Sequence, residues 1–167
     1  MTALRRQTIG EALQIDGDDY RTYTAIHEIG HATAGLATGD CNVDHIKLTI
    51  YPGAPSDGYT EAGWNEQRSH LVLLHGGFLA QQRWMRERGL WNARRDRAAR
   101  NGAGHDFGII ETTGASTAEV AAAAELSSIL LDRHWAGLLV AADRLATTGY
   151  LTGDDLCAIL NQHATKQ

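Results

Sequence analysis

Ala25-Ile26-His27-Glu28-Ile29-Gly30-His31-Ala32-Thr33-Ala34-Gly35-Leu36 decides the reading of this 167-residue chain. Ala25, Ile26, Ile29, Ala32, Thr33 and Leu36 recur at the spacing of one helix face. The helix is expected to start at Asp18 or Asp19, either of which can cap it, and to end at Gly39. Within it, His27-Glu28-Ile29-Gly30-His31 is an H-E-x-x-H motif. Histidines four apart lie on one face, one turn apart, and can bind one zinc ion at about 2.0–2.1 Å. Glu28 is placed to accept a proton from a water whose pKa such an ion lowers from 15.7 to about 7. That water would attack a carbonyl, and Glu28 would pass the proton to the leaving amine. The helix is apolar on both sides of the motif, and Gly30 and Gly35 let another backbone approach. A surface helix with two solvated histidines needs neither feature.

A catalytic zinc site takes three protein ligands and keeps one position open. The extended pattern H-E-x-x-H-x-x-G-x-x-H fails, because Ala34 and Ala37 stand at its glycine and third histidine. The third ligand must come from further along. His45, His70, His75, His105, Asp106, Glu61 and Glu111 are the candidates, and spacing alone does not choose between them.

Outward from the helix, apolar residues in Val43–Ile50 step from Val43 to Ile46, Leu48 and Ile50, the period of a half-buried strand. Tyr51 to Gly58, holding Pro52 and Pro55, reads as a loop, and Tyr59–Ala62 as a short return strand. A helix is expected from about Asn65 to Arg88, with Leu71, Leu74, Phe78 and Trp84 near one face and Gly89 as its stop. Gly76 and Gly77 inside it cost about 1 kcal/mol each relative to alanine. Close packing against the His27–His31 helix is the expected compensation. An arginine-rich segment runs to Arg100, Gly102-Ala103-Gly104 breaks the chain, and a helical piece begins at His105 and meets a further break at Gly114. Ser116 or Thr117 caps a long alanine-rich helix with Glu119 in its first turn, and Thr152 caps a last helix, Gly153–Leu160.

These segments read as a mainly α domain with a small β-sheet (α+β), and the bulk numbers suit one soluble globular domain: 43% hydrophobic, 21% charged, net charge −5. An acidic total disfavours a dedicated nucleic-acid binder. Seven arginines fall between Arg83 and Arg100, with Trp84 and Trp91 among them. A solvated helix face with stacked aromatics is the favoured reading of that segment, and a nucleic-acid patch the competing one. Cys41 and Cys157 form no Cys-x-x-Cys pair. Neither a disulfide framework nor a cysteine zinc site is expected. Arg5 and Arg6 are not followed by an apolar run, and Ala118–Leu145 carries seven charged or histidine residues, so neither a signal peptide nor a membrane span is expected and the chain reads as cytoplasmic.

The chain resembles the peptidase domain of the FtsH-type AAA zinc metalloproteases, standing alone. The resemblance rests on His27-Glu28-Ile29-Gly30-His31-Ala32, then Asp44 to Gly53, Gly58-Tyr59-Thr60, Leu73 to Gln81, Gly102 to Phe107, and Leu138 to Leu160. These blocks span roughly residues 20–161 of a single domain covering 1–167. The resemblance implies an FtsH-like zincin fold with His27, His31 and Asp106 as zinc ligands and Glu28 as general base. It implies a zinc-dependent endopeptidase acting on unfolded or flexible polypeptides. It also implies a homo-oligomer. Nothing here resembles a P-loop, so unfolding by ATP would need a separate ATPase partner. Gln81 stands where the family has glutamate, and Gly108 and Gly114 are expected to interrupt and shorten the helix after Asp106.

With the resemblance, His45, Ile46, Lys47, Leu48 and Thr49 are expected to form an edge that pairs with an extended substrate. His105 is expected to face solvent. The competing function is a catalytically inactive, metal-stabilised module that binds peptides or serves as an adaptor.

Overall fold

The computed structural model describes residues 9–49 and 57–164. Residues 51–56 of the loop expected from Tyr51 to Gly58, the strand end at Ile50 and the N-terminal reading at Arg5 and Arg6 lie outside the described residues, and the last two expected loop residues, Asp57 and Gly58, belong to a strand. The rest is mainly helical with one small antiparallel sheet. In chain order the elements are α1 (Ile9–Leu13), α2 (Gly17–Leu36), β1 (Cys41–Thr49), β2 (Asp57–Trp64), α3 (Gln67–Glu87), α4 (Ala93–Gly102), α5 (Gly104–Thr112), α6 (Thr117–Thr148), β3 (Tyr150–Thr152) and α7 (Gly153–Gln162).

α2 is the centre of the molecule. Asp16, two residues before the expected caps, accepts from the Asp19 amide and starts the helix. From Ala25 to Gly35 every residue but His27 is buried, and the helix packs against α3, α6, β1 and β2. Small residues allow this. A Cβ on Gly30 would lie 2.6 Å from the Gly76 carbonyl oxygen and 2.7 Å from Ala80 Cβ, and one on Gly76 would collide with the Gly30 carbonyl. α2 and α3 therefore touch backbone to backbone. Gly35 meets a side chain instead, that of Leu73.

α6 is capped as its sequence prescribes. Ser116 Oγ accepts from the Glu119 amide, and Glu119 Oε2 accepts from the Ser116 amide at 2.8 Å. Leu130, Leu131, Trp135, Leu138 and Leu145 form its buried face against α2 and α3. Thr152 caps α7, again through its side chain. No helix among the described residues is long and apolar enough to cross a membrane.

The sheet order is β2-β1-β3, all antiparallel. The pairing moves from Val43↔Ala62 to His45↔Glu61, so Asp44 is an extra residue in β1. This bulge is why the apolar positions step by three, from Val43 to Ile46, before alternating. It also corrects one expectation. β1 is the central strand, not an edge: His45, Ile46 and Lys47 pair with β2 on one side and β3 on the other, and the Leu48 amide donates to the Gly149 carbonyl. The backbone of His45 to Leu48 is already used within the sheet, and Thr49 pairs with Asp57. The edges are β2 and the three-residue β3, and β2 is the longer.

Two elements have no counterpart in the sequence reading: α1 and β3, of five and three residues. Both are too short to show a period. The arginine-rich segment is helix α4, capped by Asn92, whose Oδ1 accepts from the amides of Arg94 and Arg95. Five of the seven arginines from Arg83 to Arg100 are engaged. Arg83 pairs with Glu87 and Asp132, Arg88 with Asp19 and Arg100 with Asp96; Arg86 lies over Trp91; Arg95 donates to the carbonyls of Leu13, Gln14 and Leu90. Arg83, Arg88 and Arg100 also lie over Trp135, Trp84 and Phe78. Cys41 and Cys157 are unpaired.

The α2–α3 contact makes a prediction. Gly30→Ala or Gly76→Ala should destabilise the fold by about 1–3 kcal/mol or more, because two backbones would have to separate. Gly108→Ala should be neutral or stabilising by up to about 1 kcal/mol, since Gly108 lies within α5 and nothing is within 4 Å of its missing Cβ. Urea melts of the three variants check this, and equal midpoints would contradict the backbone contact.

Candidate metal centre and cleft

His27 and His31 project from one face of α2 with ring centroids 4.4 Å apart and planes at 90°. Asp106, in the first turn of α5, reaches the same point. Its Oδ2 lies 3.2 Å from His27 Nε2 and 3.4 Å from His31 Nε2, and the two Nε2 atoms are 2.9 Å apart. For a tetrahedral ion with bonds of about 2.0–2.1 Å, neighbouring donor atoms lie roughly 3.3 Å apart. The triangle has that size. Three lone-pair-bearing atoms so close need a cation between them, whether a proton or a metal ion.

The surroundings suit a metal. His31 Nδ1 lies 2.8 Å from the Leu73 carbonyl, which can only accept, so the proton sits on Nδ1 and the Nε2 lone pair points at the triangle. The Gly77 amide also lies 3.3 Å from Nδ1, but a protonated Nδ1 cannot accept from it, and the shorter carbonyl contact governs. A Cβ on Gly77 would lie 2.5 Å from His31 Nε2 and 2.8 Å from His27 Cε1. Only glycine lets α3 pass this close to both rings.

Protonation follows the same contacts. Burial acts against a charged His31, but the hydrogen bond and charge of Asp106, the charge of Glu28 and the Leu73 carbonyl outweigh it and raise His31 to about 9. Burial would push Asp106 up, yet hydrogen bonds and charge from His27 and His31 hold its carboxyl well below the usual carboxylate range.

Glu28 is buried and set by β2. The Thr60 hydroxyl lies 2.9 Å from Glu28 Oε2 and 3.0 Å from the Glu28 carbonyl oxygen, and its one proton serves either. A Cβ on Gly58 would lie 2.6 Å from Glu28 Cγ. Glu28 stands outside the donor triangle among the described residues. It lines a cleft of about 430 Å³ together with His27, His31, Asp106, Thr60 and Trp64. β2 carries no backbone hydrogen bond on its outer side among the described residues.

The other candidate ligands lie elsewhere. His45 binds Asp44 through Nδ1 and Tyr59 OH through Nε2, and stacks on Tyr150. Glu61 is exposed on β2 as the cross-strand partner of His45. His70 stacks on Trp64, His75 is buried in α3, and Glu111 is exposed near the end of α5. His105 is exposed but lines the cleft. Gly108 does not interrupt α5, which runs through to Thr112. Gln81 donates to the Tyr23 carbonyl at 3.1 Å, a bond an ionised glutamate could not make. The part played by β2 escaped the sequence reading, although period two does put Gly58 and Thr60 on one face.

No model of a known protein family matches the chain, and no curated protein matches it either.

The ion pair makes the metal-free protein sensitive to pH. His31 has a folded value of about 9 against 6.5 when unperturbed, so its stabilisation is complete below about pH 6.5 and is lost as pH rises through about 9. The Asp106 contribution is complete above its ordinary value of 3.8 and is lost as pH falls below it. Chelator-treated protein should therefore lose urea resistance between about pH 6.5 and 9, and Asp106→Asn should flatten that decline. A decline of equal size in the variant would dissociate it from this pair.

Proposed function

We propose that this chain is a zinc-dependent endopeptidase of FtsH-like fold that hydrolyses unfolded or flexible polypeptides. The observation that carries the proposal is the donor triangle of His27, His31 and Asp106, with Glu28 buried beside it in the same cleft. The mainly helical architecture with a small sheet against the metal-ligand helix agrees with the resemblance drawn from the sequence.

His27 Nε2, His31 Nε2 and Asp106 Oδ2 would hold the ion. Zinc held there would supply a Lewis acid and would bring the pKa of a water from 15.7 to about 7. Glu28 takes the proton from the attacking water on a carboxylate oxygen and delivers it to the leaving amine nitrogen. Thr60 keeps that carboxylate in one orientation, and Gly58 leaves it room. The Leu73 carbonyl keeps His31 in the tautomer that offers Nε2.

The substrate strand pairs with the outer edge of β2, in place of the β1 residues first expected. Backbone pairing reads no particular sequence but requires an extended chain, which selects unfolded or flexible segments. Folded substrates would need a separate ATPase partner to unfold them.

Glu28→Gln should retain one zinc per chain yet lose cleavage of casein by about 100-fold or more. Thr60→Val should retain zinc and lose about tenfold or more in kcat, the worth of a hydrogen bond to a charged group. Asp106→Ala should lose the metal. Metal analysis and a casein assay check all three. Undiminished cleavage by Glu28→Gln would end the proposal.

A further inference from the structure

Trp64 closes β2 and is 42% exposed, an unusual state for the largest side chain. Its ring stacks face to face on His70, centroids 3.6 Å apart and planes at 11°. Both rings line the cleft that holds Glu28 and the donor triangle, and Leu73, Leu74 and Ile109 line it too. Burial lowers the His70 pKa, so its ring is neutral near pH 7 and behaves as a flat apolar surface. Period two places Trp64 on the same face of β2 as Thr60, the residue that holds Glu28. They are four positions apart, about 13 Å along an extended strand.

We infer that Trp64 and His70, with Leu73, Leu74 and Ile109, form a side-chain subsite for a large apolar or aromatic residue of a peptide lying along β2. This rests on the peptidase reading for the peptide, and it names which peptides are taken. A paired strand advances residue for residue with β2. The selected side chain therefore lies about four residues from the bond held beside Thr60 and Glu28. Backbone pairing alone gives no sequence preference, so a preference at one distant position is the mark of this subsite. A stack that merely staples the β2–α3 turn would leave peptide preference untouched.

The test uses zinc-loaded Glu28→Gln protein and short unstructured peptides carrying Ala, Asp, Leu or Phe at one position at a time, with affinity read by calorimetry. Phe or Leu should bind about tenfold tighter than Ala at a single position, with Asp weakest. Adding Trp64→Ala should erase that preference, and adding Trp64→Phe should keep it. Circular dichroism verifies that the variants fold. The subsite is overturned if no position shows a preference, if no peptide binds, or if the preference survives Trp64→Ala. Cleavage of the same peptides by the unsubstituted protein reports separately on the peptidase reading: preferential binding without cleavage sinks that reading and leaves the subsite standing.

Discussion

Backbone contact between α2 and α3 at Gly30 and Gly76 governs the geometry of the cleft. A methyl group at either glycine would meet a carbonyl of the facing helix. With that contact made, the neighbouring residues of α3 fall where the site needs them. Leu73 is one turn before it and directs its carbonyl at His31 Nδ1. Gly77 is the next residue and passes against both imidazoles. Glycine costs a helix about 1 kcal/mol relative to alanine. Burial of Ile26 and Ile29 on α2 and of Val72 and Phe78 on α3 offsets that cost.

The second constraint is electrostatic. Two imidazoles and a carboxylate are gathered in a partly buried place, where an unpaired charge is expensive. A shared proton can hold the three together, and so can a divalent ion. Such a cluster is a poor choice for stability alone, because a well-packed apolar trio would carry no such cost. Two of its members sit in or beside the buried run from Ala25 to Gly35 of α2, which agrees with a site kept for its chemistry. Glu28 belongs to the same helix but is held by a different element, β2, which sets its carboxylate apart from the donor triangle.

The sheet serves the cleft through one strand only. β1 is enclosed between β2 and β3, with Ile46 and Leu48 buried. Its opposite face carries His45 in a network with Asp44, Tyr59 and Tyr150. β2 holds Glu28 with Thr60, ends in the Trp64–His70 stack, and keeps its outer side unpaired among the described residues. Arg83, Arg86, Arg88, Arg95 and Arg100 are occupied with acids, aromatic rings and carbonyls, and Arg95 ties the end of α1 to α4.

Local order in the chain determined much of this protein. The three- and four-residue spacing around His27 and His31, the caps at Ser116 and Thr152, and the alternation in Val43–Ile50 are decided by neighbours within a few positions. They were therefore readable one segment at a time. The purpose of Gly76 and Gly77 was readable too, because two glycines inside a helix need a close neighbour to justify them. Residue spacing left Asp106 level with six rival ligands, and only the resemblance singled it out. Tertiary structure brings its carboxylate to the two imidazoles, since a donor 75 residues beyond His31 is positioned by the packing of α5 and not by spacing. Strand order was beyond the sequence for the same reason. β3 is three residues long, too short to announce itself, yet its pairing with His45, Ile46 and Lys47 turns β1 into a central strand and leaves β2 as the long edge.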